Sequence, residues 1–311
     1  MLRIQGTGRI KSLAGRKSDG SVENVEGIIC PRKHTINRRE QIKIKSAPRV
    51  LAFVSSPLIY NDDVIKDRAK GWCHAFRDTS RLPSGVPNIL LPESDFIDPK
   101  MVYFSPQSKL YDYFYFTINA TPGIKNKGLY TFIDILPTLC KHKLKGLVVV
   151  YFPNFPTSKK FKVKLSKQQK NILRASEPFL TYHWGLLGDK QMNNAMVSCR
   201  FGLFPNTVDN SPRIISESLV RDIPVMINDR IDGGWHYVQK DTGCLFNVSN
   251  LDESIDFMMS NDFHAKEIYQ NTYGFEKSSK RLCDFIKGIF GYNQYTHMYF
   301  KDFKKYLKAI R

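Results

Sequence analysis

Residues 201–246 have the sequence FGLFPNTVDNSPRIISESLVRDIPVMINDRIDGGWHYVQKDTGCLF. The pattern predicts a strand ending near Pro205, a polar loop, a helix opened by Pro212, a second strand PVMIN, and a Gly-Gly turn before a third strand. We expect Ser211 to cap the helix, with Pro212 at its first position. A strand, a loop and a helix start in this order direct backbone N–H groups beyond the strand's carboxyl end. The stretch therefore predicts an anion site.

The charged residues of this stretch suit a phosphorylated ligand. Arg213 lies at the predicted helix start, where its charge and the helix's positive end both favour phosphate. Asp209 and Glu217 are eight positions apart, so both carboxylates can face one cleft and accept sugar or ribose hydroxyls. A second interpretation stays open, because Arg213, Glu217 and Arg221 have the i, i+4, i+8 spacing of a solvated, ion-paired helix face.

A βαβ unit is predicted upstream. Residues 111–120 (YDYFYFTINA) predict a strand, residues 129–139 (LYTFIDILPTL) an amphipathic helix, and residues 144–152 (LKGLVVVYF) a buried strand of the parallel type. The loop after the first strand, TPGIKNKG, should therefore open onto the same sheet edge as the Ser211 loop.

Two lysines of the TPGIKNKG loop are candidates for binding the same anion. Lys125 and Lys127 would face the cleft that Arg213 faces, and Gly128 would let a phosphate approach the backbone closely. The alternative is that both lysines are solvated loop residues.

The N-terminal part has a different composition. Residues 1–46 contain 11 Lys and Arg against 4 Asp and Glu, and we predict a loosely ordered basic arm. A transit peptide, or one or two added strands, are the alternatives. From Val50, VLAFVSS predicts a strand, NDDVIKDRAKGW a helix capped by Asn61 or Asp62, and NILLP a second short strand.

His74, with Arg77 nearby, is the candidate catalytic residue of this half. A lone histidine between aromatic residues is more often a hydrogen-bonded packing residue, and that alternative stays open.

Composition excludes several classes of protein. The 311 residues are 42% hydrophobic, which is enough for a packed core. The longest apolar run, LVVVYF, is too short to span a bilayer. No apolar segment follows the first methionine, so we do not expect a secretory signal. The six cysteines form no C-x-x-C pair, which favours reduced thiols over a disulfide framework or a zinc site. We therefore expect a cytoplasmic, globular protein.

The formal net charge of +18 admits nucleic acid, an anionic membrane or a phosphorylated substrate as partner. Residues 156–174 contain seven Lys and Arg and no acid, but aromatic side chains do not interleave with them as they would in a groove for single-stranded nucleic acid. Nucleic-acid binding is therefore not expected, whereas peripheral contact with an anionic membrane stays open.

The ordered set of motifs between residues 111 and 246 resembles the nucleotide-binding half of the group-1 (family 4-like) glycosyltransferases, which are retaining enzymes of the GT-B fold. The resemblance implies transfer of a sugar from a nucleoside diphosphate sugar to a hydroxyl of a glycan, lipid or protein, without a metal or other cofactor. No Asp-x-Asp triplet occurs in the chain, which agrees with metal independence. The degenerate Glu93-x-Asp95 is given little weight.

The resemblance also implies roles for individual residues. Lys127 matches the lysine that holds the donor phosphates. The family often has an arginine about five positions before this lysine; Pro122 stands there in this chain, and Lys125 would substitute for the arginine. Asp209 matches the acid that holds the transferred sugar, and Glu217 the acid that binds ribose. The remaining donor-binding candidates are the backbone of Ser211–Ile214, which would meet the diphosphate, and Gly128, Arg213, Gly233 and Gly234. No metal-binding residue is expected.

The predicted architecture is α/β and GT-B-like. We assign residues 1–46 to the basic arm, 47–107 to a small, incomplete N-terminal α/β domain, 108–274 to a Rossmann-like nucleotide-sugar-binding domain, and 275–311 to C-terminal helices that pack back.

Two other functions remain open. NSPRIISESLVRDIPVMINDRI also resembles the core of exostosin-type transferases, which invert configuration. The short front half alternatively favours a non-catalytic subunit that binds nucleotide sugar.

Overall fold

A computed structural model describes residues 11–17, 22–29, 50–54, 63–97, 108–118, 127–151, 163–185, 187–290 and 295–299. The chain divides into two compact units. The first combines residues 1–96 with residues 275–311, and the second is residues 97–274. The first unit is thus built from both ends of the chain. Its C-terminal segment begins at residue 275, where the segment predicted to pack back also begins. Its N-terminal segment covers residues 1–96, where the sequence predicts a separate arm over 1–46 and a domain over 47–107.

The described residues of the first unit form a sheet with the strand order β12-β1-β2-β3-β4-β5. Pairing is antiparallel between β12 and β1 and between β1 and β2, and parallel from β2 to β5. The strands are β1 (Lys11–Lys17), β2 (Val22–Ile29), β3 (Val50–Val54), β4 (Ala69–His74), β5 (Asn88–Leu90) and β12 (Tyr295–Tyr299).

Two features of this unit differ from the sequence-based expectation. Residues 1–46 were predicted as a loosely ordered arm, yet β1 and β2 lie within them, because the pairing partner of β1 comes from the far end of the chain. The helix predicted over NDDVIKDRAKGW is shorter: α1 (Asp63–Arg68) ends where β4 begins at Ala69. Trp72 of β4 is completely buried in the unit's core, and this burial favours the strand over a continued helix.

A long helix, α8 (Gly274–Phe290), packs onto this unit. Its Leu282 and Ile286 are buried against Leu51, Cys73 and Leu91. A hydrogen bond adds to this apolar packing: the Ser278 hydroxyl donates to the Asp95 carbonyl at 2.8 Å.

The second unit has the predicted parallel sheet, with the strand order β11-β10-β9-β6-β7-β8 among its described residues. The strands are β6 (Tyr111–Ile118), β7 (Gly146–Tyr151), β8 (Leu180–Trp184), β9 (Cys199–Phe204), β10 (Val225–Asn228) and β11 (Gly243–Phe246). The helices are α2 (Leu129–Lys141), α3 (Lys167–Ser176), α4 (Asp189–Val197), α5 (Arg213–Leu219), α6 (Leu251–Ser260) and α7 (Ala265–Thr272).

Apolar residues cover both faces of this sheet. One cluster joins α2 and α6 to the strands through residues such as Phe132, Val148 and Ile255. The other joins α5 and α7 to them through residues such as Ile215 and Tyr269. A parallel sheet buried on both faces needs continuous apolar strands, which explains why LVVVY was recognisable in the sequence.

Among the helices that the structure describes, none combines the length and the apolar run that crossing a bilayer requires. The described cysteines, Cys73, Cys140, Cys199, Cys244 and Cys283, carry free thiols. Cys30 lies outside the described residues.

Candidate functional site

Three loops of the second unit meet at one edge of its sheet. Strands β6, β9 and β10 are parallel neighbours, so their carboxyl ends lie side by side. The chain after β6 leads to Lys127, the chain after β9 contains Asp209, and the chain after β10 contains the Gly-Gly turn. The Lys127 loop and the Ser211 loop therefore open onto the same edge.

Lys127 and Asp209 form an ion pair across two of these loops. The Lys127 ammonium donates to Oδ2 of the Asp209 carboxylate. The two side chains are 21% and 15% exposed, so water screens the pair only partly while a ligand can still reach it. Two residues 82 positions apart thus form one charged centre.

Gly128 fixes where Lys127 lies. Its φ of +71° lies in the left-handed region, and a Cβ added there would stand 2.7 Å from the backbone of Pro205 and Asn206. We expected this glycine to let a phosphate approach, but the close approach is made by the protein's own β9 loop. The Tyr115 hydroxyl donates to the Lys127 carbonyl at 3.0 Å, and burial raises the pKa of Tyr115, which keeps this donor protonated.

Asp209 is held by more than Lys127. The Asn206 amide donates to Oδ2 of Asp209 at 3.4 Å, and the Ser211 N–H donates to Oδ1 at 3.4 Å. The Gly233 N–H donates to the Asp209 carbonyl at 3.0 Å. The Gly-Gly turn therefore acts on the site through the main chain of Asp209.

Two further contacts fix the β10 loop against the β9 loop. The Asn210 amide donates to Asp232 at 3.2 Å. Gly234 has a φ of +82°, and a Cβ there would lie 2.8 Å from Ile215 and 2.9 Å from Pro212. The turn needs this glycine because the start of α5 occupies the adjacent space.

The start of α5 differs from the prediction. Pro212 occupies the capping position, the helix begins at Arg213, and no side chain caps it. Ser211 is therefore not the cap, because the helix begins one residue later than predicted. The Ser211 backbone N–H donates to Asp209. Ile214 packs its side chain partly into the core, and its carbonyl accepts from the Ser218 hydroxyl at 2.7 Å.

Arg213 and Glu217 form the i, i+4 ion pair that the helix-face interpretation expected, with Nε and Oε1 2.8 Å apart. Arg221 lies deeper: it donates to the Glu217 carbonyl at 2.6 Å and to the Asn193 side chain at 2.9 Å. Burial lowers the pKa of Arg221, while Glu217 acts in the opposite direction. The guanidinium stays charged and ties α5 to α4.

His74 belongs to the first unit, where it ends β4; it is 4% exposed, and its Nδ1 lies 3.0 Å from the Phe76 carbonyl. Lys125 lies outside the described residues. Asp95 of Glu93-x-Asp95 is completely buried and pairs with Arg281 at 3.2 Å. Within the described ranges, no three His, Cys, Asp or Glu side chains cluster as metal ligands would.

Sequence reasoning missed Asn206, the Gly233 bond and the role of Tyr115. Asn206 lies two residues after the end of β9 at Phe204, a place where polar residues commonly reach the carboxyl edge of a sheet. This position was the available signal for Asn206. The Gly233 bond is made by main-chain atoms, which no residue pattern encodes.

No protein-family model matches the sequence, and no curated protein does. Several solved structures are similar. HepE from Anabaena, solved with UDP-glucose, superposes with a TM-score of 0.61 at 12% identity, over 85% of this chain and 79% of its own. The lipopolysaccharide outer core galactosyltransferase WaaB gives 0.57 at 13% identity, over 84% and 75%. The pneumococcal O-GlcNAc transferase GtfA, solved with UDP and GlcNAc, gives 0.58 at 10% identity, over 85% and 56%.

These structures are GT-B glycosyltransferases, and at such low identity the likeness establishes the fold. The chain has the GT-B fold, and the predicted fold class is confirmed.

Proposed function

We propose that this protein transfers a sugar from a nucleoside diphosphate sugar to a hydroxyl of a glycan, lipid or protein acceptor. The main supporting observation is the charged centre formed by Lys127 and Asp209 at the carboxyl ends of β6 and β9. Ligands of open α/β sheets bind at this edge. The fold agrees, because the similar structures of HepE and GtfA were solved with UDP-glucose and with UDP and GlcNAc.

The cations of the site have a defined task in such a reaction. As the glycosidic bond to the donor phosphate breaks, negative charge grows on the leaving diphosphate, and fixed positive groups stabilise it. Lys127 is our candidate for direct contact with the diphosphate, and Arg213 and Lys125 are candidates for its outer oxygens. No metal ion is needed for this charge stabilisation, so we propose a metal-independent enzyme.

The two acids have separate roles in this proposal. Asp209 binds hydroxyls of the transferred sugar, and Glu217 binds ribose hydroxyls. Because Arg213 pairs with Glu217, the carboxylate is oriented as an acceptor for hydroxyl donors. The resemblance to group-1 enzymes favours retention at the anomeric carbon.

A panel of UDP- and GDP-sugars tests the proposal by the release of free nucleotide. We expect at least one donor to be hydrolysed or consumed, and Lys127→Met to lose most of that activity. Lys190→Met is the matched control, because Lys190 is an exposed residue of α4. Equal activity in both variants would contradict the assigned role of Lys127.

The other candidate functions predict different outcomes of the same assay. Nucleotide-sugar binding that Glu217→Ala abolishes, without turnover of any donor, would favour the non-catalytic subunit. A product with inverted anomeric configuration in an NMR time course would favour the exostosin-like alternative.

We also propose peripheral contact with an anionic membrane through α3. Lys167, Lys170 and Arg174 are exposed at spacings of three and four residues, which places them on one face of the helix. Each basic residue near such a surface contributes about 1 kcal/mol, so replacing all three by Gln should weaken binding to anionic vesicles by roughly 100-fold. Lys190→Gln is the control. Unchanged sedimentation of the triple variant with anionic vesicles would refute the contact.

A further inference from the structure

Oδ2 of Asp209 accepts from two different donors, the Lys127 ammonium and the Asn206 amide. Asn206 is only 3% exposed, whereas the Lys127 side chain is 21% exposed. The lysine can therefore reach a ligand, while the asparagine is enclosed by protein. The two donors differ in how freely each can leave the carboxylate.

We propose that Asn206 is a positioning residue that holds the Asp209 carboxylate for the sugar when the Lys127 ammonium turns to the donor diphosphate. The inference rests on the proposed function. A diphosphate competes with Asp209 for the same ammonium, because both are anions within reach of one flexible side chain. Without a second donor, Asp209 would lose its main side-chain anchor at the moment when its sugar contact is needed.

The backbone around Asn206 makes this second anchor rigid. A Cβ added to Gly128 would lie 2.7 Å from the backbone nitrogen of Asn206, so the Lys127 loop packs directly on the Asn206 main chain. The Ser211 N–H at Oδ1 and the Gly233 N–H at the Asp209 carbonyl hold the rest of the residue. Asn206 thus completes a set of contacts that does not depend on the lysine.

The experiment compares substitutions at Asn206 that separate hydrogen bonding from shape. Asn206→Ala removes the amide, Asn206→Leu keeps the approximate volume without a donor, and Asn206→Ser restores a small donor. Asn271→Ala is the matched control, because Asn271 is an exposed residue of α7 in the same unit. Each variant is titrated calorimetrically with a nucleoside diphosphate and with the matching nucleoside diphosphate sugar, and kcat and KM are measured for nucleotide release.

We expect Asn206→Ala and Asn206→Leu to bind the nucleoside diphosphate as wild type does. Both should lose roughly tenfold in the additional affinity that the sugar contributes and in kcat, as expected for one lost hydrogen bond to a carboxylate. Asn206→Ser should recover part of the loss, and Asn271→Ala should keep the wild-type sugar contribution. A merely structural role would instead weaken the binding of both ligands together, and Asn206→Leu would then bind them more tightly than Asn206→Ala.

The outcomes separate this inference from the function on which it rests. Wild-type turnover with an unchanged sugar contribution in Asn206→Ala overturns the role of Asn206 alone. Wild-type binding without turnover overturns the transferase proposal, and the sugar contribution to binding still tests Asn206. A wild-type protein that binds no nucleotide sugar overturns both.

Discussion

At the scale of single residues, Asp209 is the point where three loops meet. Lys127 contacts it from the loop after β6, Asn206 from the loop after β9, and Gly233 from the loop after β10. The sequence predicts that the Lys127 loop and the loop of Asp209 share one edge, because the carboxyl ends of parallel strands share an edge. It did not predict the ion pair, because the approach of Lys127 depends on how Gly128 packs on Pro205.

Gly128→Ala tests this packing. The change puts a side chain at a φ of +71° and forces its Cβ against the backbone of Pro205 and Asn206, which cannot move as a flexible side chain would. We expect the free energy of unfolding to fall by about 1–3 kcal/mol, measured by urea denaturation, and nucleotide affinity to fall with it.

Gly85→Ala is the matched control. Gly85 has a similar φ of +75°, but a Cβ there would have nothing within 4 Å. It should cost only the backbone strain, about 1 kcal/mol. Equal losses in the free energy of unfolding of the two variants would show that the packing of Gly128 on the β9 loop does not contribute to stability.

At the scale of elements, the second unit was predictable because its patterns are local. The apolar runs of β6 and β7 and the amphipathic pattern of α2 can be recognised in any short window, and the predicted and observed starts of α2 coincide. The elements of the first unit were harder to predict from the sequence. The sequence predicts the end of a helix where β4 lies, because the polar run before β4 continues the helical pattern past Arg68. β12 lies in a region predicted as helical, because its pairing partner β1 is distant in sequence.

The attachment of α8 is a tertiary feature of the same kind. Arg281 pairs with the completely buried Asp95 at 3.2 Å and donates to the Leu90 carbonyl at 2.7 Å. Arg281→Met removes the guanidinium from a buried carboxylate, and we expect a loss of about 3 kcal/mol in the free energy of unfolding. Chemical denaturation measures this loss.

Two variants make the Arg281 experiment specific. Lys280→Met changes an exposed residue of the same helix and should have little effect. Adding Asp95→Asn to Arg281→Met should recover part of the lost stability, because the buried charge is then removed with its partner. A loss in Arg281→Met no larger than that in Lys280→Met would show that the pair does not anchor α8.

At the scale of the whole molecule, the sequence indicated reduced thiols, and the described cysteines are free. Burial raises the pKa of Cys199 to about 12 and that of Cys244 to about 11, from an ordinary value of 9.0. The unfolded chain therefore ionises these thiols at lower pH than the folded chain does. Their contribution to stability is complete below pH 9 and is lost as the pH rises through the folded pKa values.

This difference predicts the slope of stability against pH. Between pH 9 and 10.5, each thiol should lower the free energy of unfolding by up to about 1.4 kcal/mol per pH unit. Urea denaturation at several pH values measures the slope, and Cys199→Ala combined with Cys244→Ala should make it shallower. Part of the slope should remain, because burial also raises the pKa of Cys73. An equally steep slope in the double variant would assign the alkaline loss to other groups.

The extent of the first unit could not be inferred at this scale. Its sheet joins β1 to β12 across almost the whole chain, and composition alone marked residues 1–46 as basic and weakly apolar. Two strands separated by almost the whole chain carry no local sequence pattern that shows their pairing.

The central claim is that Lys127, Asp209 and Glu217 together bind a nucleoside diphosphate sugar. A crystal structure of the complex with a donor that the protein turns over tests it most directly. We predict the Lys127 ammonium within hydrogen-bonding distance of a diphosphate oxygen, a ribose hydroxyl on Glu217, and a sugar hydroxyl on Asp209 with Asn206 still bound to it. A donor bound away from the carboxyl ends of β6 and β9, with the Lys127–Asp209 pair intact, would contradict the account.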